Sequence, residues 1–209
     1  MQRTWLDRFK RIIVIALPFI VLALTIVLDQ VTKCYFKNLY EENGKTMVIE
    51  DFFYFTYTVN TGAAWSFLSD VSWAQTFFKI LTCVALIMFG LFMAYACVKK
   101  IKWLQYSLAF IIGGTIGNFI DRLLYSGVTD FLSFIFGGYY FPVFNLADSF
   151  LVVGVIMMAI YLFFLDENAI FKKSEKSALE NVDSNLEEKL MEDSKSSDKD
   201  NGKENISDN

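Results

Sequence analysis

Histidine is absent from the 209-residue chain, and this absence removes several kinds of chemistry. Proteases that activate serine or cysteine with histidine are excluded, and so is a metal site with histidine ligands. Cysteine is scarce: Cys34, Cys83 and Cys97 form no CxxC pair. We interpret all three as unpaired structural residues, because the last two lie in apolar runs where cysteine packs as a small hydrophobe.

Proline is also scarce, and the net charge of the chain is negative. The chain has two prolines, so it is neither a linker nor a fibrous protein. Its formal charge of −4 comes from the C-terminal region, where thirteen acidic residues and seven lysines follow from Asp166 onward. No basic stretch of the kind that binds nucleic acid occurs, so we expect no nucleic-acid partner.

Apolar residues are abundant, at 55% of the chain. Four stretches are long enough to cross a bilayer, which takes about 20 apolar helical residues. They cover about residues 12–28, 74–98, 103–120 and 141–165. The first is longer than the core of a signal peptide and no A-x-A site follows, so we interpret it as a retained helix. The sequence therefore predicts an all-α membrane protein with four transmembrane helices.

The segments outside these spans differ in character. Residues 30–73 form a long loop, and Met47 to Asn60 is rich in Phe, Tyr, Val and Thr, which favour strands. We predict a small β-rich extracytoplasmic domain there, at the membrane interface. Residues 1–171 would form the membrane core. Residues 172–209 are polar and acidic, which predicts a disordered cytoplasmic tail.

The distribution of lysine and arginine predicts the orientation. Basic residues mark the cytoplasmic side of membrane proteins, so both termini are expected in the cytoplasm. Lys33, Lys37 and Lys45 lie on the opposite side, so the bias is not absolute. The cytoplasmic clusters are Arg3, Arg8, Lys10, Arg11, Lys99, Lys100, Lys102, Lys172, Lys173 and Lys176.

Four aspartates, Asp29, Asp121, Asp130 and Asp148, lie at or between span ends on the predicted outer side. Ionisable residues at membrane depth are costly and are functional candidates. Asp121 closes the third span and Asp148 opens the fourth, so adjacent antiparallel helices would bring them together. Two carboxylates in opposite helix-dipole environments can share a proton, one accepting from water and the other donating to a carbonyl. This pair is the sharpest candidate for such chemistry, and we expect the shared proton more often on Asp121 unless Arg122 points inward and reverses the order.

Simpler interpretations exist for most of these candidates. The neighbouring Arg122 could simply neutralise Asp121. Asp148 could be the acid of a capping box begun by Asn145. Asp29 and Lys33 are i,i+4 neighbours, and we slightly favour a local interfacial ion pair. Asn118 and Asn145 each precede an aspartate by three residues; they could orient it, hold an oxyanion or hydrogen-bond between helices.

Two further motifs have open interpretations. In the run from Asn60 to Ser66, Asn60 could bind a substrate backbone and Gly62 could let it approach, or the run could be an ordinary turn. Gly113, Gly114 and Gly117 indicate close helix packing rather than phosphate binding.

Taken together, these motifs resemble those of bacterial lipoprotein signal peptidase, also called signal peptidase II. Four blocks match in order over about residues 10 to 165. They are Asp29-Gln30-x-x-Lys33; Asn60-Thr61-Gly62-Ala63-Ala64-Trp65-Ser66; Gly113-Gly114 through Gly117-Asn118-x-x-Asp121-Arg122; and Val128-x-Asp130-Phe131 leading to Phe144-Asn145-x-Ala147-Asp148. Trp65 stands where the family pattern has Phe, and the acidic tail lies outside the pattern.

The resemblance implies a membrane-embedded aspartic endopeptidase of the bacterial inner membrane, working without metal or cofactor near the outer face. Its substrates would be prolipoprotein signal peptides that end before a diacylglyceryl-modified cysteine, and the enzyme would contact membrane lipid. Globomycin-type cyclic peptides would inhibit it. Asp121 and Asp148 would be catalytic. The supporting or substrate-binding residues would be Asp29, Lys33, Asn60, Gly62, Asn118, Arg122, Asn145 and Ala147.

Three rival functions remain open from the residues alone. A small transporter could use the acids as ion sites, but it needs a path to both faces and the acids cluster on one side. A Ser-Lys protease could use Ser66 or Ser69 with Lys79, but it leaves Asp121 and Asp148 without a role. A structural bundle would use the acids as caps alone.

Overall fold

A computed structural model describes residues 5–62, 73–125 and 127–166, with the backbone alone for residues 6–8, 10 and 11. The predicted tail at 172–209 and the end of the Asn60 motif lie outside these residues. The chain divides into two compact units, Met1–Ala159 and Ile160–Asn209. The second unit is described from Ile160 to Asp166 and contains a five-residue π-helix, Tyr161–Leu165.

Four long helices dominate the described chain. They are α1 (Trp5–Asn43), α2 (Ala74–Val98), α3 (Lys102–Leu124) and α4 (Leu146–Ile160). Each of the four predicted spans corresponds to a candidate membrane span, but the fourth begins at Leu146 rather than at residue 141. The apolar side chains of α2 mostly face outward, as at Ile87, which is 66% exposed, and Leu91, at 68%. Such a surface suits lipid, in which helices satisfy their own backbone hydrogen bonds.

Helix α3 lies at the centre of the bundle and packs against α1 and α2. It is 56% buried over its most apolar window, whereas the other candidate spans are 11–17% buried. Two glycines let α4 approach it closely. A Cβ on Gly114 would come within 2.5 Å of the Ala147 carbonyl oxygen. A Cβ on Gly154 would come within 2.8 Å of the Ser107 backbone carbonyl oxygen. The predicted role of Gly114 in helix packing is confirmed.

Helix α1 extends well beyond the predicted end of the first span, so the outer loop begins at Gly44 rather than at residue 30. Its last turns pack against the sheet: the Phe36 ring stacks on Phe55 at 4.2 Å and on Phe131 at 4.5 Å. Gly44 then adopts φ +67° and donates its N–H to the Tyr40 carbonyl oxygen, a common way to end a helix.

A four-stranded antiparallel sheet lies beyond the helices in the order β1-β2-β3-β4. Strands β1 (Thr46–Ile49) and β2 (Phe53–Asn60) come from the predicted β-rich loop. Strands β3 (Val128–Phe136) and β4 (Tyr139–Tyr140) come from the link between α3 and α4. The prediction therefore missed half of the sheet, because these strands depend on a partner distant in sequence.

The register of β2 against β3 positions part of the site. Thr58 pairs with Asp130, and Asn60 pairs with Val128, while Phe53 stacks on Phe134 at 4.5 Å. The aromatic pairs fix this register because slipping by one residue would turn them to the other face. Asn60 at the end of β2 is thereby held beside Asp130 on β3.

Candidate active site

A buried cation on α1 joins two of the predicted aspartates. Lys33 Nζ lies 2.8 Å from Asp29 Oδ2 and 3.1 Å from Asp121 Oδ2. It also donates to Asn118 Oδ1 at 2.9 Å. The predicted pairing of Asp29 with Lys33 is confirmed, but both side chains are at most 5% exposed, so the pair lies inside the bundle and not at an interface. Buried charges persist where they are paired in this way.

Asp121 on α3 is 1% exposed and is held by three donors. Gln30 Nε2 donates to its Oδ1 at 3.1 Å, and the Thr129 backbone N–H donates to its Oδ2 at 2.9 Å. Lys33 is the third partner. Asp121 therefore ties α1 to the start of β3, one residue before Asp130.

Asp148 lies in the first turn of α4 and takes part in a reciprocal cap. Its backbone N–H donates to Asn145 Oδ1 at 3.0 Å, and the Asn145 N–H donates to Asp148 Oδ2 at 3.1 Å. The capping interpretation is confirmed. The cap does not exclude a further role, because Oδ1 accepts from Asn118 Nδ2 at 2.8 Å and the side chain is partly exposed.

Asp130 on β3 is 2% exposed and is flanked by two amides. Asn145 Nδ2 donates to its Oδ1 at 2.7 Å, and Asn60 Nδ2 donates to its Oδ2 at 3.2 Å. Asn145 thus donates to the Asp130 carboxyl from its side-chain amide and to the Asp148 carboxyl from its backbone N–H. One buried asparagine joins the two carboxylates.

The environment of Asp130 favours its neutral form. Burial raises the pKa of the Asp130 carboxyl from 3.8 to about 7, and the negative charge of Asp148 adds to the rise. Hydrogen bonds from Asn145 and Asn60 and the charge of Lys33 oppose it. A carboxyl with a pKa near 7 can both donate and accept a proton at neutral pH.

The other predicted residues surround this centre. The Ala147 N–H donates to Asp29 Oδ1 at 3.0 Å, and the Gly62 N–H donates to Asn60 Oδ1 at 3.0 Å. Arg122 interacts electrostatically with the nearby aspartates and lies 5.5 Å from the centre of the Phe78 ring. Its Nε is buried and has no hydrogen-bond partner within the part of the chain that the structure describes.

The predicted catalytic pairing of Asp121 with Asp148 stays a prediction, and the contacts show which partners each carboxyl has. Across residues 5–62, 73–125 and 127–166, no hydrogen bond joins these two carboxyls, and Asp148 instead shares Asn145 with Asp130. The sequence did mark Asp130 as one of four outer acids, within the Val128-x-Asp130-Phe131 block. The alternative serine nucleophiles, Ser66 and Ser69, lie outside the described residues.

The fold and the site define a class: a multi-pass membrane protein with buried aspartates at one end of its bundle. Comparison with known proteins narrows this class. A family model described as signal peptidase (SPase) II matches residues 21–164. A lipoprotein signal peptidase of Listeria welshimeri is 42% identical over 146 residues, covering 69% of this chain and 92% of its own. One from Pseudomonas paraeruginosa is 37% identical over 164 residues, covering 75% and 91%.

Solved structures agree with the sequence comparison. Two structures described as bacterial membrane enzymes match with TM-scores of 0.58 and 0.57 at 33% and 34% identity. They cover 71% and 70% of this chain, and the matches span 94% and 87% of their own chains. The chain belongs to the signal peptidase II family. It is a transmembrane protease of lipoprotein processing.

Proposed function

We propose that this chain is an aspartic endopeptidase that removes the signal peptide of diacylglyceryl-modified prolipoproteins by cleaving before the lipidated cysteine. We further propose Asp130 and Asp148 as its catalytic residues. The observation that carries the proposal is the shared contact with Asn145, which holds one carboxyl with a pKa near 7 beside a second, partly exposed one. Pairs of carboxyls with different environments are typical of acid-base catalysis.

Asp130 suits the role better than Asp121 for an electrostatic reason. Asp121 is bound to the Lys33 ammonium and to two further donors, so protonating it would break a buried ion pair. Within the described residues, the hydrogen-bond partners of Asp130 are the neutral side-chain amides of Asn60 and Asn145. It can therefore gain and lose a proton without breaking a direct ion pair of the kind that joins Asp121 to Lys33.

The reaction needs one water and no covalent intermediate. The Asp148 carboxylate takes a proton from water, and the hydroxyl oxygen attacks the scissile carbonyl carbon while Asp130 donates its proton to the carbonyl oxygen. The resulting diol collapses as the C–N bond breaks. Asp148 gives its proton to the leaving nitrogen, and Asp130 recovers one from a diol hydroxyl, so both carboxyls return to their starting states.

Arg122 and Asn60 are proposed to hold the substrate. The unpartnered Arg122 Nε is a donor for a peptide carbonyl, since a buried donor without a partner is costly. Asn60 at the end of β2 already orients Asp130, and the adjacent Gly62 is buried and has no side chain to obstruct a peptide. Both features favour an extended peptide between sheet and bundle.

The proposed setting is the bacterial cytoplasmic (inner) membrane, with both termini in the cytoplasm and the site near the outer face. The basic clusters support this orientation. The acyl chains of the substrate would stay in the bilayer, which contributes about 0.8 kcal/mol of anchoring per CH₂. Globomycin-type cyclic peptides would compete for the same site.

A cleavage assay with purified full-length protein tests the proposal. Asp130→Asn and Asp148→Asn should each lower kcat by about a thousandfold or more, and the double variant should be little worse, because the two act as a unit. EDTA should have no effect, and an unlipidated precursor should be cleaved far more slowly. Near-normal cleavage by either folded single variant would overturn the assignment.

A further inference from the structure

The ammonium group of Lys33 has as many acceptors around it as it has N–H donors. An ammonium has three N–H donors and no acceptor. Three acceptors lie within 3.1 Å of it: Asp29 Oδ2, Asp121 Oδ2 and Asn118 Oδ1. Lys33 is 4% exposed. Two of these contacts neutralise buried carboxylates, but the third contact, to a neutral amide, requires another explanation.

The contact with Lys33 fixes which way the Asn118 amide points. The oxygen and nitrogen of an asparagine amide are assigned from the partners they meet. Because an ammonium can only donate, the Asn118 oxygen must face Lys33, and Nδ2 then points to Asp148 Oδ1 at 2.8 Å. A flipped amide would place two donors together and turn an oxygen toward the Asp148 carboxylate.

No other described group holds Asn118 in this orientation as firmly. Asn145 Nδ2 also reaches Asn118 Oδ1, at 3.0 Å. The same NH₂ group faces the Thr129 carbonyl oxygen at 3.2 Å and Asp130 Oδ1 at 2.7 Å. An amide nitrogen has two protons, so these three acceptors must share them. Lys33, in contrast, has one N–H that it can donate to Asn118 Oδ1 without sharing it with another acceptor.

We propose that Lys33 is a positioning residue that acts through Asn118 to hold Asp148 as the carboxylate that accepts a proton from water. This inference rests on the proposed function of Asp148. A charge-assisted bond to Asn118 Oδ1 polarises the amide and strengthens the hydrogen bond that Nδ2 donates to Asp148. Lys33 does not touch the substrate; it commits one carboxyl of the pair to the role of base.

The test compares kcat and KM of full-length variants on a fluorescent diacylated lipopeptide in detergent micelles. Lys33→Met should lower kcat about 10- to 100-fold, which is at or below the lower end of acid-base contributions because Lys33 acts indirectly, with KM changed by less than about threefold. Lys33→Arg keeps a charged donor and should recover most of the loss. Lys37→Met is the matched control, one turn further along α1, where the side chain is 44% exposed and lies 3.9 Å from Glu41. Its kcat should be unchanged.

A double-mutant cycle separates positioning from neutralisation of buried acids. If Lys33 acts through Asn118, Lys33→Met should cost no more than about threefold in an Asn118→Ala background, since coupled residues are non-additive. Full additivity would overturn the inference, because it would show that Lys33 acts through Asp29 and Asp121 instead. Normal kcat in folded Lys33→Met would overturn it as well.

A shape-preserving variant covers the case in which Lys33→Met does not fold. Asn118→Asp keeps an acceptor for Lys33 and nearly the same volume, but it removes the donor to Asp148. It should fold and lose kcat as strongly as Lys33→Met is expected to; normal kcat in this variant would refute the positioning role. Asp148→Asn in the same assay distinguishes the two proposals. If it is active, the proposed function fails, whereas if it is inactive and the Lys33 variants are active, only the positioning role fails.

Discussion

Replacing Asp130 by Asn should separate the activity of the protein from its stability. The variant keeps the shape of the side chain and an acceptor for Asn145 Nδ2, but it cannot ionise. Cleavage should fall by about a thousandfold or more, because the acid of the pair is gone. The folded protein, in contrast, should become more stable at neutral and alkaline pH, since a buried carboxylate no longer forms.

The magnitude follows from the pKa of Asp130, which burial raises from 3.8 to about 7. A group whose pKa is raised on folding stabilises the fold fully below its unfolded pKa, and that contribution is lost as pH rises through the folded pKa. A shift of about three units corresponds to about 4 kcal/mol, lost between about pH 4 and pH 7. In the variant, the NH₂ group of Asn at position 130 faces Asn60 Nδ2, and two donors that face each other cost about 1–2 kcal/mol. The free energy of unfolding should therefore rise by about 2–3 kcal/mol above pH 7.

The assay is the apparent melting temperature in detergent from pH 4 to pH 8, for the wild-type protein and the variant. The difference between them isolates Asp130 from every other titrating group. It should rise with pH from about pH 4 and level off above about pH 7. Asp51→Asn, an exposed aspartate between β1 and β2, is the charge-matched control and should show no such trend. A flat difference across this range, or full activity of the Asp130 variant, would refute the reasoning.

Three further outcomes are expected. Asp121→Asn should lower the melting temperature more than kcat, because it leaves buried Lys33 with one ion partner fewer and touches no reacting atom; a loss of kcat with an unchanged melting temperature would contradict this. Gly117→Ala should destabilise by about 1–3 kcal/mol, since its Cβ would collide with the Asp29 carboxylate, whereas Gly90→Ala on α2 meets nothing within 4 Å and should be neutral. Deletion from about residue 176 onward should leave cleavage largely intact, because a polar, acidic segment contributes little packing; a large loss in the purified enzyme would reveal a function there.

The four spans could be read from the sequence because membrane crossing depends on a local sum. About 20 consecutive apolar residues identify a spanning helix whatever surrounds it. The second span, predicted at 74–98, has the same bounds as α2. The length of the first helix is greater than the sequence predicts, because Asp29, Gln30 and Lys33 interrupt the apolar run and indicate an end to the span near residue 28. They are helical because their partners, Asp121 and Asn118, are supplied by α3.

The sheet shows the limit of local patterns. The aromatic and β-branched run of β2 was recognisable by itself. The strand β3 was not, because its sequence follows a helix end and its pairing partner lies about 70 to 80 residues earlier in the chain. Strand preference depends strongly on such packing partners, so it becomes visible when the two strands are side by side.

The four candidate aspartates could be named from the sequence, but the hydrogen-bond partners of each one could not. The order of helix ends predicts that Asp121 and Asp148 lie together, and that pairing stays a prediction; the structure adds that a lysine on α1 contacts Asp121. In the folded chain, Lys33 forms an ion pair with Asp121, and Asn145 donates a hydrogen bond to Asp130. The register of β2 against β3 positions Asp130 for this contact. Charge type and spacing are properties of the sequence alone. Which carboxylate meets a buried cation, and which meets neutral amides, is decided by tertiary packing, because electrostatic interactions depend on distance and burial rather than on order along the chain.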